Sequence, residues 1–374
     1  MKAISLFSGA GGMDIGVIQA GFDILACVEI DPHCCATLRD AILREKRSTR
    51  VIQADIRDLD PTQIMQQFNQ SSGTLDLLFG GPPCQSFSQI GKQQGLNDER
   101  GLLLFEMVRF ARAMLPKAIL IEEVKGLQNI KDSRGKSGGV LKKLISDLEA
   151  LSYTVAWKVI LAADYGVAQL RERIFIVGVR ESSTPFTFPE PTHAPNKSNL
   201  FGLLPYTTVR QALAGLPAPQ PKRSQIPENS HMDVTPDGDK RRIHGVPEGN
   251  WLSSQTHLPS AQLGNLTKKD TTKFRRLSFE SPAITLRGGE IFFHPTEDRI
   301  LTPREYMRLH GYPDNYILRG PIRSRSGRVK TLDQHRQIAN SVPPPVAYVL
   351  ARAIAQFLVE AMSCPKYSKF SAFA

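Results

Sequence analysis

Residues 3–21, AISLFSGAGGMDIGVIQAG, run from a short apolar stretch through a glycine-rich turn into apolar residues at helical spacing. A strand that turns through glycines into a helix opens an α/β sheet, and the turn lets backbone N–H groups approach a ligand above the strand end. The alternation continues outward. Short apolar runs at 24–28, 50–54, 75–79, 118–122, 154–160 and 173–179 read as further strands, and 13–21, 101–114 and 139–151 as helices. Strands alternating with helical stretches predict a doubly wound, mostly parallel sheet.

From Glu181 the texture changes. Residues 185–275 are rich in Pro, Gly, Ser, Asn and Thr, with turn signals such as FPEPTHAPN and TPDGDK, which predicts a second, smaller, loop-rich domain. Beyond NSVPPPV (340–346) the stretch AYVLARAIAQFLVEAM carries an apolar stripe, so a last helix is expected to return to the sheet.

With 374 residues, 41% of them hydrophobic, the chain can bury one large core and a second smaller one. No apolar run approaches the roughly 20 residues needed to span a bilayer, and the N-terminus lacks a signal-peptide segment. A cytoplasmic protein without membrane contact is expected. Five cysteines with no CxxC pair argue against a disulfide framework or a zinc site, and no metal is expected. The net charge is +11, and residues 299–336 hold nine basic against three acidic side chains. Such a surplus suits a polyanion, although a solvated surface would show it too.

The glycine turn is not the dinucleotide fingerprint, because Asp14 stands where the third glycine would follow Gly9 and Gly11. Glu29 ends the second strand and is placed to bond ribose hydroxyls, while Asp55 ends the third and is placed to accept from an adenine amino group. Helix N-capping is the alternative for each. Together they describe a nucleoside site with no phosphate anchor.

Ligands of open α/β sheets bind outside the carboxyl ends of the strands. GGPPCQSFS (80–88) lies there, with two prolines fixing the backbone before Cys84 and a glycine-bearing loop, residues 85–101, behind it. A thiol so positioned is a candidate nucleophile, provided that its pKa is lowered or its substrate is made more electrophilic. Glu122 meets the second condition if it protonates a substrate nitrogen. Its neighbour Glu123 should point to the opposite face. Pairing of both with cations such as Lys125 is the alternative. In QLRERIFIVG, Gln169, Arg171 and Arg173 alternate, so an extended backbone would project all three from one face, either toward a base or phosphate or as an edge ladder of ion pairs.

SLFSGAGG, GGPPCQSFS, IEEVKGL, YGVAQLRER, RRLSFESPAITL and QIANSVPPPVA, in this order, resemble the ordered motifs of the bacterial DNA (cytosine-5) methyltransferases. The resemblance spans almost the whole chain except residues 185–270, where that family carries its variable target recognition domain. It implies a catalytic, cofactor-binding domain of residues 1–184 and 331–374 and a target recognition domain of residues 185–330. It further implies S-adenosylmethionine as cofactor, held by Phe7, Gly9, Gly11, Glu29, Asp55, Pro82 and Asn340. Double-stranded DNA is the implied partner, its phosphates against residues 299–336 and its bases against loops near 230–275, with Arg241, Arg242 and Arg276 as candidate base readers. By the same resemblance Cys84 attacks carbon 6 of a flipped cytosine, Glu122 engages ring nitrogen 3, Arg173 holds the carbonyl and Arg171 supports the closing loop. A monomer, paired with a restriction endonuclease, is expected.

The chain departs from the family's usual residues at Glu123 (asparagine), Ala168 (proline) and Ala339 (glycine), and the extra acid beside Glu122 bears most on the chemistry. Two other readings are the same reaction on transfer RNA and a catalytically idle DNA-binding protein on this fold. The joint presence of Cys84, Glu122 and Arg173 stands against the second.

Overall fold

The computed structural model describes residues 1–83, 103–131, 135–195, 202–223, 225–254, 274–288, 290–323 and 331–363. Seven strands form one twisted sheet. In chain order the first half runs β1 (Lys2–Leu6), α1 (Gly12–Gln19), β2 (Asp23–Glu29), α2 (Pro32–Arg44), β3 (Arg50–Gln53), α3 (Pro61–Gln67) and β4 (Leu77–Gly80). It continues through α4 (Leu103–Met114), β5 (Ala118–Val124), α5 (Gly139–Glu149), β6 (Tyr153–Leu161), the two-residue β7 (Gln169–Leu170) and β8 (Glu172–Arg180). The spatial order is β3-β2-β1-β4-β5-β8-β6, parallel from β3 to β5, with β8 antiparallel to both its neighbours.

The expected strands are all present within a residue or two. The expected helices are too, except that residues 101 and 102 lie outside the described residues. Alternation along each strand sends side chains to two cores. Ala3, Leu77, Phe79, Ala118 and Leu120 pack toward α1 and the C-terminal helix, and Ile4, Leu6, Leu78, Ile119 and Ile121 pack toward α4 and α5.

Two helices in this half went unexpected. Both start at an Asp-Pro pair, a capping acid followed by a ring that fits the first helical turn. Asp31 accepts from the amides of His33 and Cys34 at the head of α2, and Asp60 from Thr62 at the head of α3.

The second half holds short strand pairs and the helices α6 (Val209–Leu213), α7 (Asp237–Ile243), α8 (Pro303–Leu309), α9 (Gln334–Asn340) and α10 (Pro344–Ser363). A third core joins Ala10 and Ile15 of the glycine turn to Val209, Leu286, Phe292, Tyr306, Met307, Tyr312 and Ile338. The Tyr316 hydroxyl donates to the carbonyl of Ala10 at 2.8 Å. The loop-rich segment is thus packed directly against the glycine turn.

Helix α10 returns to the sheet as expected and lies on α1. At Gly16 an added Cβ would meet Tyr348 N at 2.4 Å and Pro344 O at 2.5 Å, so only glycine allows the two backbones this approach. No uninterrupted apolar run of bilayer-spanning length occurs, but the helical stretch Gln334–Glu360 is long and apolar enough on average to cross a membrane by length and composition, and half of its most apolar window is buried within the protein. The three described cysteines, Cys27, Cys34 and Cys35, are buried free thiols.

Candidate active site

Strand β1 ends at Phe7, whose φ of +54° is unusual for a residue with a side chain and costs about 1–2 kcal/mol. It turns the chain through Gly9 and Gly11, at φ +54° and +77°. Gly12 opens α1 so close to the segment after α9 that a Cβ there would lie 2.4 Å from Val342 O. Between these segments and the ends of β4 and β5 lies a cleft of about 340 Å³, open mouth included, lined among others by Phe7, Gly9, Asp14, Gly81, Glu122 and Asn340. Among the described residues none that lines it is Lys, Arg or His.

Phe7, Gly9, Glu122 and Asn340 therefore meet in one cleft, as the strand-end argument requires. Gly11 follows in the same turn, and Pro82 is buried directly behind Gly81. Glu29 does not line the cleft and is not the cap of α2. One carboxylate oxygen accepts from Gly9 N at 2.7 Å and the other from the amides of Ile30 and Asp31, both at 2.8 Å, so it ties the glycine turn to the end of β2. Burial raises its pKa. Asp55 takes the capping reading. It accepts from Arg57 N at 3.0 Å and pairs with the Arg57 guanidinium at 2.6 Å, which holds its pKa below the usual carboxylate value.

Glu122 and Glu123 fall on opposite faces of β5, as alternation demands. Glu122 Oε1 accepts from Arg173 Nε at 3.0 Å. A Cβ on Gly81 would sit 2.9 Å from its Oε2, so the carboxylate lies directly against the backbone just beyond β4 and would have to move for any other residue there. Lys125 pairs instead with Glu172, at 2.8 Å. Cys84, three residues beyond Gly81, and the loop 85–101 lie outside the described residues.

Glu123 is 2% exposed; its Oε2 accepts from Val124 N, and Oε1 has no partner among the described residues. Burial, and then the charge of Glu122, push its pKa well up. Burial thus favours the protonated, uncharged form of Glu123, the form nearer in charge to the asparagine usual in the resembling family. A folded-state pKa raised above the unfolded value means that stability is full below about pH 4.3 and falls as pH climbs toward the folded value. Glu123→Gln should accordingly melt near the wild type at pH 5 and above it at pH 8, with methyl transfer within about twofold of wild type. Melting curves across pH 5–9 check this, and a fall in melting temperature at pH 8 would refute it.

Gln169, Arg171 and Arg173 do not form an edge ladder. Gln169 and Arg171 are buried, at 0% and 2% exposure. Gln169 Oε1 accepts from Leu286 N at 3.1 Å, so its Nε2 must be the donor to His310 Nδ1 at 2.9 Å. That leaves His310 Nε2 to donate to Ser341 O at 2.9 Å, where Arg171 Nη2 also donates at 3.0 Å. Burial holds His310 well below its ordinary pKa, so the imidazole stays neutral and the chain of donors persists. The network fixes Ser341, a wall of the cleft, to both halves of the chain. His310 and Ser341 carry no local signal that would have revealed it.

Four arginines of the basic stretch 299–336 are committed within the protein, and residues 324–330 lie outside the described residues. Arg299 is buried and held by Glu305 at 2.7 Å, Arg304 donates to the carbonyls of Asn229 and Tyr316, Arg308 pairs with Asp314, and Arg319 pairs with Asp40. These guanidiniums satisfy internal acceptors. Arg276 is likewise no base reader. It is 3% exposed and donates to His294 O, Glu297 O, Ile243 O and Asp298. Arg241 is exposed, and Arg242 lies over the Phe274 ring at 5.9 Å.

Comparison with known proteins agrees with this geometry. The C-5 cytosine-specific DNA methylase family matches residues 1–356. The type II methyltransferase M.AquIA of Picosynechococcus is 44% identical over 59% of this chain and 90% of its own length. M.NgoFVII of Neisseria gonorrhoeae, also a type II methyltransferase, is 32% identical over 94% of this chain and 86% of its own. A solved structure described as a DNA modification methyltransferase encoded within an E. coli prophage superimposes with a TM-score of 0.69 at 25% identity, covering 96% of this chain and 99% of that one. The chain belongs to the C-5 cytosine-specific DNA methylases, enzymes that take the methyl group from S-adenosylmethionine.

Proposed function

We propose that this enzyme methylates one cytosine within a specific duplex DNA sequence, flipping the base and attacking it through Cys84, as the modification partner of a restriction endonuclease. The observation that carries the reading is the Glu122–Arg173 pair at the strand ends, beside the Gly81 backbone that leads to Cys84.

The cleft fits the cofactor. Among the described residues it is lined by a glycine turn, Asp14 and Glu122 and by no basic side chain, and with Arg173 taken up by Glu122 the acid left over is Asp14, which disfavours a phosphate and favours a cationic nucleoside. Phe7, Gly9, Gly11, Pro82 and Asn340 would hold it, with Glu29 bracing the turn and Asp55 at the outer end. When bound, S-adenosylmethionine supplies an electrophilic methyl group on a sulfonium.

The protein's own part is to activate the ring. The Cys84 thiolate adds to carbon 6 of cytosine while the Glu122 carboxyl gives a proton or hydrogen bond to nitrogen 3, and electron density gathers at carbon 5. Arg173, whose Nη1 already donates to Glu172 O at 2.7 Å, keeps Glu122 in place and faces the base carbonyl. Loss of the carbon 5 proton and expulsion of the thiolate restore the ring. Flipping costs a few kcal/mol of stacking and pairing, which contacts from the second half must offset.

Residues 1–184 and 331–374 serve as the catalytic part and 185–330 as the DNA-reading part, the two joined near the cleft by the core that Ala10 shares with Val209, Phe292 and Tyr306. The type II methyltransferases among its relatives support a sequence-specific role.

Bisulfite sequencing of plasmid from cells expressing the chain should reveal protected cytosines in a single sequence context. Uniform conversion, or a preference for transfer RNA over duplex DNA in a competition for labelled methyl groups, would overturn the proposal.

A further inference from the structure

Asp14 lies in the first turn of α1, 4% exposed, in the wall of the cleft. Its Oδ1 accepts from the Cys27 thiol at 3.1 Å, while its buried Oδ2 has no hydrogen-bond partner among the described residues. A buried carboxylate left half satisfied is costly. The titratable groups whose fields reach it are Cys27 and Glu29 from β2 and Tyr312 and Tyr316 from the segment behind α8, and none of these is a cation. Glu29, its acidic neighbour, bonds only backbone amides on the sides described above. Asp14 thus stands in the cleft wall with one oxygen unpaired and no described cation set against it, since the Arg173 guanidinium at the cleft's edge is taken up by Glu122. For Asp14 the protein supplies the negative half of an ion pair and leaves the positive half to the ligand.

We propose that Asp14 is the counter-charge for the cationic methyl donor, losing its proton as the donor binds. This rests on the cleft being the donor site. The donor carries two cationic groups, a sulfonium and an ammonium, whereas its product S-adenosylhomocysteine keeps only the ammonium. The free protein holds Asp14 at about 6, chiefly through burial. A bound cation favours the ionised form and lowers that pKa. Binding then releases a proton, so affinity rises with pH up to about 6 and levels off above it; each unit of pKa lowered is tenfold in affinity.

The test is calorimetric binding of S-adenosylmethionine and S-adenosylhomocysteine to the full chain between pH 5 and 7.5, with no turnover involved. Wild type should gain about tenfold in donor affinity across that range. Asp14→Asn should lose this pH dependence and bind the donor about tenfold more weakly at pH 7.5. If only the donor is affected, the sulfonium is the partner, and if donor and product suffer alike, the ammonium is. Cys27→Ala keeps the carboxyl but removes a hydrogen bond that lowers its pKa, so the midpoint of the pH dependence should move up; this variant serves if Asp14→Asn fails to fold.

Asn340→Ala separates the two readings. If it weakens binding while Asp14→Asn binds like wild type with the slope intact, the Asp14 proposal alone is overturned. If both variants bind like wild type, the cleft is not the donor site and both readings are overturned.

Discussion

Replacing Cys84 with alanine is expected to reduce methyl transfer by roughly 10⁴-fold or more, the scale of losing a covalent nucleophile, while duplex DNA still binds. The reason is electronic. Carbon 5 of cytosine is a poor nucleophile within the aromatic ring, and addition of a thiolate at carbon 6 is what concentrates electron density there. Alanine leaves the base bound but aromatic. Serine should do little better, because a hydroxyl is not ionised near neutral pH. The adduct itself can be observed. DNA with 5-fluorocytosine at the target cannot lose fluorine as a cation, so wild type should remain attached after transfer and survive denaturing electrophoresis. The Cys84→Ala protein should leave no such band. Methyl transfer by Cys84→Ala at more than a tenth of the wild-type rate would remove the covalent route altogether.

What the sequence disclosed and what it concealed divide along a physical line. Strands with buried faces announce themselves through continuous apolar runs, and the glycine turn at 9–12 through a residue type needed for positive φ; both were legible because their causes are local. The capping signals of α2 and α3 are local as well, in Asp31-Pro32 and Asp60-Pro61. The arginines were another matter. Arg319 finds its acid at Asp40, and Arg304 its carbonyls at Asn229 and Tyr316, so part of a run that reads as a surface for phosphates is taken up by partners far away in sequence or around a turn. No charge count can see that. Asp14 entered only as a missing glycine, because a buried acid among apolar helix residues gains its meaning from Cys27 on the next strand and from the cleft above it. Glu123 reverses the case. Its oddity was plain in the sequence, yet only burial on the face away from Glu122 explains why an acid can stand in for an amide.

Glu122→Gln is expected to lower kcat by about 10²–10⁴-fold, the usual contribution of a positioned acid or base, with little change in DNA affinity. Glutamine keeps the shape beside Gly81 and can donate a hydrogen bond through its amide, but it cannot pass a proton to ring nitrogen 3. The loss should therefore fall on the chemical step rather than on binding. Arg173 makes the argument sharper. Its Nε holds Glu122 Oε1 at 3.0 Å with both side chains largely buried, so Arg173→Ala leaves the carboxyl in a dry site without its cation and free to turn from the base. If the two residues act as one unit, their effects will not add: the double variant should be scarcely worse than the weaker single variant. Single-turnover rates on a short duplex, measured with DNA affinity in parallel, give all four corners of this cycle. Additive losses would mean that Arg173 serves the base independently of Glu122. Near-normal chemistry in Glu122→Gln would mean that the ring is activated by another group, and the pairing at the end of β5 and β8 would then be structural rather than chemical.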